Sequence, residues 1–372
     1  MRLQATHLVF KTIIFFIFAA QNYRTMAEQK GRTEIAELGE FGLIDELTKN
    51  FKSACKSTIV GIGDDAAVIE ASKDTAIVLS SDTMLEGIDF DLTYFPPKHL
   101  GYKAVTKGIS DIAAMNAKAE QITLSLGISS KISVEVLRDF YAGVEFACRE
   151  AEVDLVGGDT TASMTGFVIN ITAVGRAKKD RIVRRSGAKP NDLICLTGNL
   201  GAAFMGLRLL EREKRVLAGT DQQPRFEGYE YLLERYLKPR ARYDIVESLG
   251  EEKLVPTSMI DLTDGLASDV LQICKASHCG ARIYLERIPF AKQTSALAEE
   301  MHIDPVVAAL NGGEDYELLF TVPLAERERI MNIGCIDIIG HITAENTGAY
   351  LVTPDGGEIR LKAQGFKESA ER

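Results

Sequence analysis

The sequence predicts an α/β protein, of the α+β type, in two domains. Three observations carry this. The chain of 372 residues exceeds what one small core requires. Apolar positions alternate between strand-like and helix-like periods along its length. A basic, turn-rich stretch, Arg184-Arg185-Ser186-Gly187-Ala188-Lys189-Pro190, interrupts that pattern near the middle. The expected boundaries are 1–25 for an N-terminal extension, 26–180 for the first domain and 190–372 for the second.

Taken in order, Thr12–Ala20 (TIIFFIFAA) is an apolar run preceded by Arg2 and Lys11, as in a secretory signal. It is too short to span a bilayer, which needs about 20 residues, and Phe18 stands where a cleavage site wants a small side chain. Met26 then opens a polar segment resembling a cytosolic start, so 1–25 reads either as an extension from a wrongly chosen start or as a targeting segment. Glu34–Asn50 reads as a short helix, and Thr75–Ser81 (TAIVLSS) as a buried strand ending at Asp82. Pro96 and Pro97 open a helix with apolar Leu100, Val105, Ile109, Ile112 and Met115. Ile122, Leu124, Leu126 and Ile128 alternate as in a half-buried strand. Val134, Leu137, Tyr141, Val144, Cys148 and Ala151 keep a helical period, followed by strands at Val153–Val156 and Phe167–Val174.

Beyond the basic turn come a strand (Asp192–Thr197), a turn with Gly198 and Gly201, and a helix from Ala202 to about Leu210. Ala218–Gly228 reads as an exposed loop. Strand Ser258–Leu262, helix Leu266–Ser277, and strands Ala281–Leu285 and Tyr316–Val322 complete the second unit.

Charge narrows the function. With 43 Lys+Arg against 53 Asp+Glu the net charge is −10, which argues against nucleic-acid binding through a basic face and suits a collector of cations. Six cysteines without a CxxC pair, and only five histidines, speak against a zinc site or disulfide framework and for a reducing compartment.

The acidic side chains recur in one design, an apolar element running into aspartate beside glycine or a hydroxyl residue. The segments are Gly61-Ile62-Gly63-Asp64-Asp65, Ser80-Ser81-Asp82-Thr83, Ser110-Asp111, Gly157-Gly158-Asp159-Thr160-Thr161 and Asp261-Leu262-Thr263-Asp264-Gly265, with Gly312-Gly313-Glu314-Asp315-Tyr316 similar. Any one of them is most simply a turn. Asp261 or Thr263 could cap the helix at Leu266, and Asp111 could face solvent. Together they suggest a magnesium-phosphate site, because adjacent carboxylates repel unless a hard cation offsets them. The chain lacks a GxxxxGK[ST] loop, the HRD and DFG signatures, a GxSxG elbow and HExxH.

The strings GIGDDAAVI (61–69), SSDTMLEG (80–87), YKAVTKGISDIAAMNA (102–117), GGDTT (157–161), VGRA (174–177), RSGAKPND (185–192), DLTDGLASD (261–269) and GGEDYELLFTV (312–322) resemble the thiamine-monophosphate kinase family, in that family's order and over roughly residues 39–366. The resemblance implies the two-domain aminoimidazole-ribonucleotide synthetase-like fold, a cytoplasmic homodimer formed through the first domain, and transfer of the γ-phosphoryl group of ATP to thiamine monophosphate. It implies catalytic Asp65, Asp82, Asp111, Asp159 and Asp261, and a magnesium set of Asp65, Ser80, Ser81, Asp82, Asp111, Asp159, Asp261 and Asp264. ATP contacts would be Gly158, Asp159, Arg176, Thr263 and Tyr141, and substrate contacts Glu314 and Phe366. Where the family commonly has histidine this chain has Asp89, which either favours the cationic thiazolium or faces water. Nucleic acid and stable membrane association are not expected.

Related synthetases fit less well. Cys55 lacks the Gly-rich setting of selenophosphate synthetase, and the chain ends Lys367-Glu368-Ser369-Ala370-Glu371-Arg372 rather than in the cysteine tail of the hydrogenase-maturation relative. A non-catalytic sensor has little need for so many metal-type aspartates. The acceptor, a phosphate monoester with a second pKa of about 6, arrives ionised and requires no general base. Asp→Asn at Asp65, Asp82 or Asp111 is therefore expected to cost turnover, with metal-free stability held or raised.

Overall fold

The computed structural model describes residues 35–50, 53–218, 224 and 226–363. The segment 1–25 and Phe366 lie outside the described residues. Helix α1, Ile35–Thr48, belongs to a unit separate from that of Phe51–Gln364, and Gly39 at φ 68° interrupts its helical backbone.

The larger unit contains two sheets. The first has six strands: β1 (Thr58–Val60), β2 (Ala67–Glu70), β3 (Thr75–Leu85), β4 (Lys118–Ser129), β5 (Asp154–Ser163) and β6 (Val168–Lys178). Their order is β1-β2-β3-β6-β4-β5, and only β4 and β5 run parallel. Helices α2 (Pro97–Ala114) and α3 (Val134–Ala151) join this sheet. Proline at the first turn opens α2, where its missing N–H costs nothing. The Ser133 hydroxyl accepts from Val136 N (3.4 Å) to start α3, which stops at Glu152 in the left-handed region. The two helices cross at glycines: a Cβ on Gly101 would lie 2.0 Å from Phe140 O, and one on Gly143 1.8 Å from Lys98 O. Backbones this close hold α2 against a core of Leu100, Val105, Ile112, Phe140, Phe167 and Ile171.

The second sheet has seven strands: β7 (Leu193–Thr197), β8 (Ser258–Asp261), β9 (Cys279–Tyr284), β10 (Leu318–Val322), β11 (Ile336–Ala344), β12 (Ala349–Val352) and β13 (Glu358–Arg360). The order is β13-β12-β9-β11-β7-β10-β8, antiparallel except for β12 with β9. Every residue of β7, β8 and β10 is buried, as expected for strands covered on both faces. Helices α4 (Ala202–Leu217), α5 (Glu230–Leu237), α6 (Tyr243–Glu251), α7 (Leu266–Ser277), α8 (Lys292–Glu300), α9 (Pro305–Asn311) and α10 (Arg327–Asn332) complete the unit.

Two acidic segments read as strand-end turns lie inside strands instead. The strand expected to end at Asp82 continues to Leu85, because β6 pairs with it throughout, Asp82 opposite Ile171 and Leu85 opposite Val168. Gly157–Thr161 likewise lies inside β5, paired with β4 from Gln121–Asp154 to Ser129–Ser163. Ladder partners override the local turn preference of Gly and Asp. The helix expected to end near Leu210 runs to Leu217. Much of the Ala218–Gly228 loop lies outside the described residues.

Candidate active site

Four elements bring carboxylates together. The loop after β1 supplies Asp64 and Asp65, β3 supplies Asp82, α2 supplies Asp111, and the end of β8 supplies Asp261. Carboxylate oxygens of Asp65, Asp111 and Asp261 lie within 4.8 Å of one another. Ser80 and Asp82 share one face of β3, two residues apart, and the Ser80 hydroxyl donates to Asp111 Oδ2. Ser110 Oγ donates to Asp261 Oδ2 at 2.5 Å, joining α2 to the second sheet.

The electrostatics are those of a site awaiting positive charge. Burial pushes the Asp65 carboxyl up to about 7, against the pull of Arg185. Burial also raises Asp261 to about 6 despite the Ser110 bond. Asp111 is raised well above the ordinary range by burial and then by Asp261, Asp82 and Asp65. Asp65 Oδ2 and Asp82 Oδ2 are buried without a hydrogen-bond partner. Clustered oxygen donors with unused lone pairs fit a hard divalent cation such as Mg²⁺. Asp264, at the turn after β8, is solvent-accessible, and its carboxyl is raised by burial of its surroundings against Lys107 and Arg185.

Sequence reasoning missed four side chains. Arg185, read only as part of the boundary, places its guanidinium on Asp65 Oδ1 (Nη2 2.6 Å, Nε 3.1 Å), and its backbone N–H donates to Asp64 Oδ1 (3.0 Å). Asp65→Asn would keep an oxygen acceptor for this largely buried guanidinium but remove its charge, which works against the gain expected from relieving a buried carboxylate. Lys103, fully buried on α2, bonds to Glu314 and lies 4.0 Å from the centroid of the Tyr236 ring. Lys107 lies one turn further along α2. Asp269, buried on the first turn of α7, has an unpartnered Oδ2 and a carboxyl raised well above its ordinary range by burial, Asp264 and Asp261. The three-to-four spacing of Lys103, Lys107, Ser110 and Asp111 on one helix was the available signal.

Glu314 belongs to a loop fastened at both ends. Its N–H donates to Thr263 O and that of Tyr316 to Leu262 O, both at 2.9 Å. Glu314 (φ 59°) and Tyr316 (φ 52°) occupy the left-handed region, a strain that the surrounding bonds hold in place. Asp315 accepts from Gly201 N (2.9 Å) and Ala203 N (3.4 Å) at the start of α4, while Arg235 and Arg242 grip Glu317. Asp89 and Glu314 both line a cavity of about 590 Å³ walled also by Phe90, Tyr94, Tyr236 and Arg208. Asp89 Oδ2 also accepts from Leu85 N (2.7 Å), so one of its oxygens closes the turn after β3.

The other expected residues stand apart from this group. Ser81 faces the opposite side of β3, with Thr172 Oγ1 at 3.0 Å. Gly158 and Asp159 lie on exposed β5 opposite Leu124 and Ser125, and Asp159 is not among the three clustered carboxylates. Arg176 pairs with Glu120 (3.4 Å), and Tyr141 is exposed on α3, edge-on to Phe140. Thr263 contributes its carbonyl to Glu314, as above. No side chain caps α7: Gly265 at φ 110° is its N-cap, which removes the capping reading of Asp261 and Thr263.

Comparison with known proteins agrees with this architecture. Residues 63–177 match the AIR synthase related protein N-terminal domain, and residues 189–353 the corresponding C-terminal domain. The thiamine-monophosphate kinase of Buchnera aphidicola subsp. Schizaphis graminum is 36% identical over 339 residues, covering 89% of this chain and 98% of that protein. That of Escherichia coli (strain K12) is 35% identical over 343 residues, with the same coverage. The solved structure of AaThiL complexed with AMPPCP and TMP superposes with a TM-score of 0.77 at 30% identity, covering 91% of this chain and 100% of that one. With both domain families matched in order, and identity sustained over nearly the full length of these relatives, the chain belongs to the thiamine-monophosphate kinase family.

Proposed function

We propose that this chain transfers the γ-phosphoryl group of ATP to thiamine monophosphate, giving thiamine diphosphate and ADP in a single in-line displacement with Mg²⁺ bound. The observation that carries the reading is the adjacency of two features, an oxygen-rich carboxylate cluster and an aromatic and acidic cavity that shares the Glu314 loop with it. The names of the relatives above support the same donor and acceptor. A thiazolium is cationic and flat, suited to Tyr94, Tyr236 and the carboxylates of Glu314 and Asp89.

The chemistry asks little of side-chain bases. An ionised oxygen of the acceptor phosphate attacks the γ-phosphorus, the new P–O bond forms, and the bond to the β-phosphate oxygen breaks as ADP leaves. Asp65, Asp82, Asp111 and Asp261, with Ser80 orienting Asp111, would hold Mg²⁺. Bound there, the metal supplies charge neutralisation for two phosphates brought together. Asp159 and Asp264 would add to the metal set, with Gly158, Arg176, Thr263 and Tyr141 on the nucleotide, whereas Ser81 faces the other side of β3 and is left out of it.

A homodimer belongs to this reading. Strand β5 is a sheet edge exposed along nearly its whole length, with Leu155 and Val156 uncovered, the kind of edge that proteins rarely leave bare. Pairing there would also carry Gly158 and Asp159 into a covered site. Cytoplasmic placement is supported by six free cysteines. Among the described residues no helix is long and apolar enough to cross a membrane.

The test is product analysis with ATP, Mg²⁺ and either thiamine monophosphate or an aminoimidazole-pathway substrate. Thiamine diphosphate formed only from the first is the expected result, and turnover of the second alone would overturn the reading. Light scattering at micromolar concentration should give the dimer mass.

A further inference from the structure

One face of α2 carries Lys103, Lys107, Ser110 and Asp111 at three- and four-residue spacing. Its two ends serve different parts of the site. Lys103 bonds to Glu314 in the cavity wall, while Ser110 and Asp111 bond to Asp261 and Ser80 at the carboxylate cluster. Lys107 lies between them. Among the described residues Asp82 is its one carboxylate neighbour within 4.0 Å, at that distance from Nζ, which is too long for a hydrogen bond. Glu314 and Asp89 of the cavity and Asp111 of the cluster are the next charges acting on it.

The other cations nearby are held by partners, apart from exposed Arg215 of the cavity wall, whose Nε donates to Glu211 O at 3.3 Å. Lys103 is enclosed by Glu314, Tyr236 and Phe95. Arg185 spends two donors on Asp65, and on α4 Arg208 and Lys214 are paired with Glu211 and Asp91. Lys107 keeps three N–H donors and a partly open side chain, 19% accessible.

We propose that Lys107 grips the phosphate of the acceptor and so makes the site select a phosphorylated substrate over its dephosphorylated form. The inference rests on the function proposed above and adds a contact to it. An acceptor with its cationic ring in the cavity must point its phosphate toward the cluster. Glu314, Asp89, Asp82 and Asp111 all repel a dianion on that path, and the Lys107 ammonium is the attractive charge midway along it.

The experiment uses the full chain with Mg²⁺ and no nucleotide. Calorimetric titration with thiamine monophosphate and, separately, with thiamine compares wild type with Lys107→Met and Lys107→Arg. Steady-state kinetics with ATP follow for the same proteins. Loss of a charge-assisted contact should weaken thiamine monophosphate binding about tenfold or more in Lys107→Met. Thiamine binding and KM for ATP should stay within about twofold, and Lys107→Arg should recover most of the loss. Equal weakening of both thiamine ligands would mean a merely structural lysine and overturn the proposal, as would unchanged binding of thiamine monophosphate. Should Lys107→Met not fold, Lys107→Gln carries the same comparison. A wild-type chain that forms no thiamine diphosphate overturns instead the function on which the proposal rests, and that result is read before any variant is made.

Discussion

Replacing Asp111 with Asn separates what the carboxylate cluster does for catalysis from what it does to stability. Asp111, Asp65 and Asp261 present oxygens within 4.8 Å of one another. At that separation, with an effective dielectric of about 20, each ionised pair repels by about 3.5 kcal/mol. Arg185 offsets the field of Asp65, so relief comes chiefly from the pair with Asp261. Against it stands the Ser80 hydrogen bond, which weakens when its acceptor loses charge. The net expectation for the metal-free protein at pH 8 is a gain of about 1–2 kcal/mol and a higher melting temperature. Turnover moves oppositely. The variant holds Mg²⁺ less well as the phosphates converge, and kcat should fall by about a hundredfold or more, near 2.7 kcal/mol. Metal-free melting curves and single-turnover rates at saturating Mg²⁺ read the two effects. A lower melting temperature together with a rate within about tenfold of wild type would refute the electrostatic argument.

Three further outcomes follow from particular contacts. Asp65→Asn should leave metal-free stability within about 1 kcal/mol of wild type, because relief of a buried carboxylate is offset by the weaker, uncharged acceptor left to Arg185; chemical denaturation measures it, and a loss of several kcal/mol would refute the balance. Metal-free stability should fall as pH rises from about 4 to about 7: Asp65 (up to about 7) and Asp261 (up to about 6) bind protons in the native state that they have released in the unfolded chain. Melting temperatures across that window check the slope, and saturating Mg²⁺ should flatten it by holding the carboxylates ionised. Gly143→Ala should cost about 2–4 kcal/mol, since its Cβ would sit 1.8 Å from Lys98 O and push α3 off α2; a melting temperature equal to wild type would show that the crossing can open freely.

What the sequence determined by itself was the chemistry and most of the elements. Short-range periodicity is a backbone property, so the helix from Pro97 and the alternating strand from Ile122 to Ile128 were readable. Repeated aspartates beside hydroxyl and glycine residues were likewise visible in the sequence, as a pattern that suggests a metal-phosphate site only when the segments are taken together. Tertiary structure decided which of them meet. Asp82 and Gly157–Thr161 lie inside strands because β6 and β4 pair with them, and a ladder partner far along the chain leaves no local trace. Asp65, Asp111 and Asp261 converge from three distant segments, whereas Ser81 turns away because adjacent residues of a strand point to opposite faces. The pairings of Arg185 with Asp65 and of Lys103 with Glu314 were invisible for the same reason. A charge carries no mark of its partner, and only packing α2 against both sheets sets that Lys103 is buried and Lys107 stays partly open.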